Sequence, residues 1–375
     1  MIDTHCHIQF NSYKDDYEEV IKRCTEKGMI LNCVGSQIDT SRRAVEYAEK
    51  YENIYATIGL HPVHLFSSEV DEEETKFKTR EEKFDYEEYK KLAEHPKVIG
   101  IGECGLELFH LPKDANKDEI LAKQKEGFLL QYKLAQELAL PMVIHVRDAY
   151  DEMVEFLTVI ARRSTADEAI PSQNGIATPR SGEVRNDICG VVHCYSGNWA
   201  QASKFIDLGL YLGFTGILTY PTRKTNPKPT EDLVEVVKNC PIERILIETD
   251  APYLAPQKYR GQRCEPWMVE EVAVKIAEIK GISVEEVREQ TVKNALKLFK
   301  KLDIWHFHTC PQANLKIPLT KEGFFSKICA FFNKQYSRSI WLFYLLIPRI
   351  VNICYLVCAL LVILVLQLLF QLFFL

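Results

Sequence analysis

The five residues Asp3-Thr4-His5-Cys6-His7 set two imidazoles one residue apart, directly behind the apolar start Met1-Ile2. On a strand, alternate side chains share a face, so His5 and His7 point the same way and Cys6 points the other. Two neutral imidazoles on one face of a strand end make half of a metal site. A His-x-His pair alone is equally well a pair of surface histidines. The elements that position it must decide.

Eight short apolar runs recur, at 1–5, 30–35, 54–60, 98–103, 142–146, 190–194, 210–214 and 244–250. Between them lie amphipathic stretches such as 15–28 and 123–140, with apolar residues at helical spacing. Continuously apolar strands are buried on both faces, as in parallel sheets. Eight β-then-α units predict an α/β fold, a (β/α)8 TIM barrel over residues 1–303. A doubly wound open sheet is the alternative, but it has no need of eight evenly used strands. Two long connections, charge-dense 67–91 and Ser/Thr/Pro/Gly-rich 162–187, read as solvated insertions.

A barrel of parallel strands delivers its C-terminal residues to one mouth. Here those residues are His5 and His7 (first strand), Glu103 (fourth), His145 (fifth), His193 (sixth) and Asp250 (eighth). Six ligand-type residues in phase predict a metal centre. Four imidazoles and two carboxylates exceed what one ion usually takes, which predicts two divalent ions, Mg, Mn or Zn. Glu103 is placed to bridge them. Asp250 can ligate one ion and accept a proton from the attacking water, so Asp250 and Glu103 are the expected catalytic pair. His61, in Gly59-Leu60-His61-Pro62, is expected at the same mouth as a substrate contact, with His64 in the same loop a weaker candidate, whereas His95, His110, His306 and His308 read as surface or packing residues.

Charge narrows the partners. The chain carries −6 overall, and after Asp303 there are six basic residues and one acid, which leaves −11 for residues 1–303. That balance excludes a broad basic surface coating nucleic acid. The local exception is a set of cations on the mouth loops: Arg147, Arg223, Lys224, Lys228, Lys258, Arg260 and Arg263. Around a metal pair such cations suit a phosphate-bearing substrate, and His61, Arg147, Arg223, Arg260 and Arg263 are the expected substrate-binding residues. Twelve cysteines form no CxxC pair. Cys6, Cys104 and Cys194 read as small buried residues, turned away from the ligands beside them, in a reducing compartment.

In this order and spacing, DTHCH, GLHP, IGECGLE, VIHVRDA, VVHCYSG and ETDAPYLAP resemble the TatD-family metal-dependent hydrolases (TatD-type deoxyribonucleases) over roughly residues 1–300. The resemblance implies a TIM barrel and a metal-dependent nuclease acting on DNA, often at 3′ ends and in the 3′–5′ direction. It implies His5, His7, Glu103, His145, His193 and Asp250 as metal ligands. Two positions depart from the family pattern: Glu107 stands where Asp is common, and Cys264 where Asn is common. Both bear on substrate fit more than on hydrolysis. The readings of a different class are an amidohydrolase acting on a small molecule and an inactive membrane-tethered scaffold. No obligate protein partner is implied.

The C-terminal region reads separately, as a linker at 304–337 and a hydrophobic tail at 338–375. Residues 350–375 carry no charge over 26 positions, with Arg338 and Arg349 on the N-terminal side. As a helix at ~1.5 Å per residue this stretch would be about 39 Å long, against a hydrocarbon core of ~30 Å. A membrane anchor holding a cytoplasmic catalytic body is the expectation.

Overall fold

A computed structural model describes residues 1–67, 69–72, 75–78, 80–111, 116–167 and 188–302. The expected linker 304–337, the tail 338–375 and most of the 162–187 excursion lie outside the described residues. Among the described residues no helix is long and apolar enough to cross a membrane.

The apolar runs form strands Ile2–Cys6 (β1), Ile30–Val34 (β2), Ile54–Ile58 (β3), Val98–Glu107 (β6), Met142–Arg147 (β7), Gly190–Val192 (β8), Tyr211–Phe214 (β9) and Ile245–Ile247 (β10). A separate hairpin, Glu69–Glu72 (β4) and Thr75–Lys78 (β5), interrupts the numbering. The eight strands make one sheet in the order β1-β2-β3-β6-β7-β8-β9-β10. Every neighbouring pair in it is parallel. Both faces are covered, which is why β1, β2, β3 and β6 are buried along their whole length. The fold is a TIM-type near-barrel.

Closure between β10 and β1 uses the segments that carry the expected ligands. Cys6 and Ala251 form a parallel bridge. The His7 N–H donates to the Ala251 carbonyl at 2.7 Å, and the Asp250 N–H to the His5 carbonyl at 2.9 Å. Asp3, fully buried, accepts from the Thr249 N–H at 3.0 Å and the Thr249 hydroxyl at 2.6 Å. The first residue of the DTHCH motif therefore clamps the seam rather than joining the chemistry.

Helices Tyr17–Glu26 (α1), Ile38–Lys50 (α2), Tyr86–Ala93 (α3), Lys117–Glu137 (α4), Tyr150–Asp167 (α5), Trp199–Asp207 (α6), Lys228–Asn239 (α7), Val269–Lys280 (α8) and Val284–Leu298 (α9) follow the strands. Local chemistry sets their ends. At α9 the Ser283 side chain accepts from the Glu286 N–H while Glu286 accepts from the Ser283 N–H, a reciprocal cap. Between α8 and α9 the chain turns at Gly281, whose φ of 67° favours glycine.

Two differences from the sequence reading have physical causes. The 67–91 segment contains the β4–β5 hairpin instead of a plain loop. Its antiparallel register sets Glu69 opposite Lys78 and Asp71 opposite Lys76. Strand β6 runs four residues beyond the expected end and takes in Glu107. A side chain at Gly105 would have its Cβ 1.8 Å from the His145 carbonyl oxygen; glycine there lets β6 press against β7 and extend the ladder.

Candidate metal centre

The six expected ligands converge. His5 lies in β1 and His7 just after it; Glu103 lies in β6 and His145 in β7; His193 follows β8 directly, and Asp250 lies just beyond β10, after Glu248 and Thr249. The Nε2 atoms of His5 and His7 are 3.2 Å apart. Asp250 Oδ1 is 3.1 Å from His7 Nε2 and 3.7 Å from His5 Nε2. Glu103 Oε2 is 3.4 and 3.9 Å from the same two nitrogens. Its other oxygen, Oε1, is 2.9 Å from His145 Nδ1, 3.4 Å from His61 Nε2 and 3.8 Å from His193 Nε2.

Proton placement sorts these imidazoles. His7 Nδ1 donates to the Val34 carbonyl at 2.7 Å, which leaves the Nε2 lone pair facing Asp250 and Glu103. His193 Nδ1 is 2.8 Å from Glu248 Oε1, so its Nε2 faces the centre. His145 Nε2 is 3.1 Å from Glu107 Oε2, leaving Nδ1 toward Glu103. His7 and His145 are each oriented from behind by a hydrogen-bond acceptor, and His193 has a carboxylate behind it, as metal-binding imidazoles usually do. His61 is the opposite case. Its Nδ1 accepts from the Val63 N–H at 3.2 Å, so in the neutral ring the proton sits on Nε2 and points at Glu103. His61, Glu103 and His145 lie close enough to hold an ion, but this tautomer makes His61 a hydrogen-bond donor instead of a ligand.

The donor set fits divalent cations. Separations of 3.1–3.9 Å among His5, His7, Glu103 and Asp250 are those of neighbouring ligands at about 2.1 Å from one ion. Two buried nitrogens 3.2 Å apart, both turned to one space, repel unless a proton or cation lies between them.

Charge tells the same story. Burial works to raise the Glu103 carboxyl, yet the imidazoles of His61, His193 and His5 outweigh it and hold it well below the usual range. His145 is buried, but Glu103 and Glu107 push it up to about 9. His193 is likewise buried, and Glu248, Asp250 and Glu103 push it up to about 10. Burial, aided by His193, pushes His5 down to about 4. In the protein alone, two imidazolium ions supply the positive charge that bound cations would bring.

These shifts set a pH profile. His145 and His193 rise above 6.5 on folding, so their stabilisation is complete below pH 6.5 and is lost as pH climbs through 9 and 10. His5 falls on folding, so its contribution is present above 6.5 and is lost as pH drops towards 4. Metal-free protein should therefore have its highest Tm near pH 6.5. Added Mn²⁺, which competes with those protons, should raise Tm most on the alkaline side. Thermal scans across this range, with chelator and with Mn²⁺, check it; a metal-induced shift that does not grow with pH would refute it.

The centre opens into a cavity of about 540 Å³ lined among others by His7, His61, Glu103, His145, Arg147 and Asp250. Of the expected substrate contacts, His61 and Arg147 line it; Arg223, Arg260 and Arg263 do not. The expectation for Arg263 is corrected. Its guanidinium is held by both Asp16 oxygens, at 2.9 and 2.5 Å, and by the Ser12 carbonyl at 2.6 Å, over the Tyr13 ring. It ties the loop after β10 to the segment before α1. Arg260 lies over the Tyr220 ring, and Arg223 is exposed and bridged to Asn226.

Other expectations shift as well. Cys6 and Cys104 are buried, but Cys194, with φ 45°, lines the cavity. Cys264 is fully buried, and its carbonyl accepts from the Tyr13 hydroxyl, so this departure from the family pattern does not face the cavity. His110, expected as a packing residue, lines the cavity with its Nδ1 3.4 Å from Glu107 Oε2.

Sequence reasoning missed Glu248 and Arg43 altogether. Glu248 lies two residues before Asp250, the same spacing that joined His5 to His7, and this was the available signal. A Cβ at Gly213 would lie 2.5 Å from its carboxylate, so that glycine makes its room. Arg43, on α2, lines the cavity and donates to Asn11 at 3.1 Å; its helical position gave no hint.

Comparisons with known proteins place the chain in a family. Residues 2–300 match the family described as TatD related DNase. The chain is 36% identical over 301 residues to the uncharacterized metal-dependent hydrolase YabD of Bacillus subtilis, covering 80% of this chain and 99% of that one. It is 28% identical to a Klebsiella pneumoniae protein named 3′-5′ ssDNA/RNA exonuclease TatD, over 80% and 97% of the two chains. Among solved structures, the TatD homolog YJJV of Escherichia coli matches with a TM-score of 0.62 and 26% identity, over 80% of this chain and 98% of that one. A TatD-family hydrolase of Entamoeba histolytica matches the fold with a TM-score of 0.60 at 21% identity. On family match and identity together, the chain belongs to the TatD family of metal-dependent hydrolases.

Proposed function

We propose that the protein is a deoxyribonuclease that removes nucleotides from DNA 3′ ends, using two divalent ions (Mg, Mn or Zn) held by His5, His7, Glu103, His145, His193 and Asp250. The observation that carries this reading is Glu103: one carboxylate oxygen faces His5 and His7 within 3.9 Å, the other faces His145 and His193 within 3.8 Å. A carboxylate shared between two groups of imidazoles is the arrangement of a bridging ligand. Bound cations supply Lewis-acid chemistry there, acidifying water and screening the charge of a phosphodiester.

The chain's own residues do the rest. Asp250 is the more exposed of the two carboxylates, 16% against 6% for Glu103, and can take a proton from water entering the cavity. His61 Nε2 can donate to an oxygen of the substrate. Arg43 and Arg147, on the cavity wall, suit non-bridging phosphate oxygens. The relative named as an ssDNA/RNA exonuclease supports a single-stranded nucleic acid as substrate.

The test is direct. Incubate the full chain with a 5′-labelled single-stranded oligonucleotide and Mg²⁺, Mn²⁺ or Zn²⁺. Progressive shortening that stops on adding chelator is expected. An intact oligonucleotide alongside hydrolysis of a small amide or carboxylic ester would overturn the phosphodiester reading in favour of an amidohydrolase.

A further inference from the structure

We propose that Phe109 is a stacking platform for a nucleobase of the substrate, with Arg147 beneath it, so that the site reads a polynucleotide end and not a bare phosphodiester. The proposal rests on the nuclease reading above and adds a contact to it.

The large hydrophobic side chains exposed among the described residues are Phe109 at 56%, and Leu129, Val159 and Val274 at 40–42%. The last three are aliphatic and lie on helices α4, α5 and α8, where a scattered apolar residue is ordinary. Phe109 is the aromatic among them and stands at the rim of the metal cavity. The residues around it, Glu107, His110 and Arg147, all line that cavity.

Its placement is built. Beyond β6 the Leu108 N–H donates to the Arg147 carbonyl at 2.9 Å, extending the ladder one more step. The chain then folds over the buried Glu107 carboxylate, whose Oε1 accepts from the Phe109 N–H at 2.5 Å and the His110 N–H at 3.0 Å. The same carboxylate meets His145 at 3.1 Å, so one side chain fixes both an expected metal ligand and the backbone that carries Phe109. The Arg147 guanidinium carbon lies 4.2 Å from the Phe109 ring centroid, and the His110 ring meets it edge-on at 4.8 Å.

A phenyl ring backed by a guanidinium, beside a metal centre, matches the two halves of a nucleotide. The exposed ring takes a base by stacking, which every base allows because each has a π-face. The guanidinium beneath both stiffens the ring through a cation–π contact and offers charge to the neighbouring phosphate. A platform of this kind contributes affinity without base preference.

The experiment compares wild type, Phe109→Ala and Phe109→Trp. Binding is read by fluorescence anisotropy, with divalent metal present, on a single-stranded oligonucleotide whose 3′-terminal linkages are phosphorothioates. Its twin carries abasic residues at the two 3′-terminal positions. Phe109→Ala should weaken binding of the base-bearing strand about tenfold, leave the abasic twin unchanged, and be rescued by Phe109→Trp. Equal effects on both strands, or none on either, would overturn the platform. Cleavage of the plain phosphodiester strand by wild type is measured in parallel. Its failure would count against the nuclease reading, whereas the binding arms report on Phe109 alone.

Discussion

Glu103→Gln should lower kcat/KM for hydrolysis by about 10³-fold and release bound metal, while the protein stays folded. The substitution keeps the shape of the side chain and removes the charge on which both groups of imidazoles converge. With carboxamide atoms in place of Oε1 and Oε2, one side of the centre would face an N–H₂ group, either where Oε1 now lies 2.9 Å from His145 or where Oε2 lies 3.4 Å from His5. A metal ion contributes several kcal/mol of charge stabilisation to such reactions, and at roughly 1.4 kcal/mol per decade this amounts to about 10³-fold. Glu248→Gln is the control. It lies behind His193, at 2.8 Å, and also accepts from the Cys194 N–H at 2.5 Å, and weakening an orienting partner of this sort costs about 10- to 100-fold. Metal content by elemental analysis and kcat/KM on one substrate check both variants. If Glu103→Gln retained its metals and lost no more than Glu248→Gln, Glu103 would be a neighbour of the centre and not its bridge.

Most of this centre was legible because a parallel barrel converts sequence phase into position. Six residues at five strand ends needed no contact information, only the count of apolar runs and the side on which each ended. What escaped was set by competition in space. Arg263 follows a strand that ends at the mouth, and sequence alone gave it to the substrate; Asp16, 247 positions away, claims it instead. Glu107 reads as a departure from the family pattern near the mouth and outside the ligand set, bearing on substrate fit. The longer strand keeps Glu107 on the same side, where its carboxylate orients His145. His61 joined the right cavity, but its tautomer depends on the Val63 N–H, a turn geometry that no spacing reveals. Packing of the outer helices was legible from periodicity, and the β4–β5 hairpin was not, since its antiparallel register joins positions only once the chain has turned back.

Asp250→Asn should separate binding from turnover. Asp250 Oδ1 lies 3.1 Å from His7 Nε2 and 3.6 Å from His193 Nε2, and asparagine keeps an oxygen at that place. At least one ion should therefore remain bound. The variant loses the ability to take up a proton, and general-base catalysis is typically worth about 10²- to 10⁴-fold, so kcat should fall within that range with KM little changed. Asparagine is the right replacement for a second reason. Asp250 has φ 61°, in the left-handed region that Asn and Asp occupy more readily than other non-glycine residues. Alanine there would strain the backbone that closes the barrel through the Asp250 N–H and His5 carbonyl, and would mix a folding defect with a chemical one. The measurement is single-turnover cleavage across pH, with metal content determined on the same preparation. Loss of kcat with metal retained assigns the proton to Asp250. Wild-type kcat would move it elsewhere, and loss of all metal would make Asp250 a ligand first and a base second.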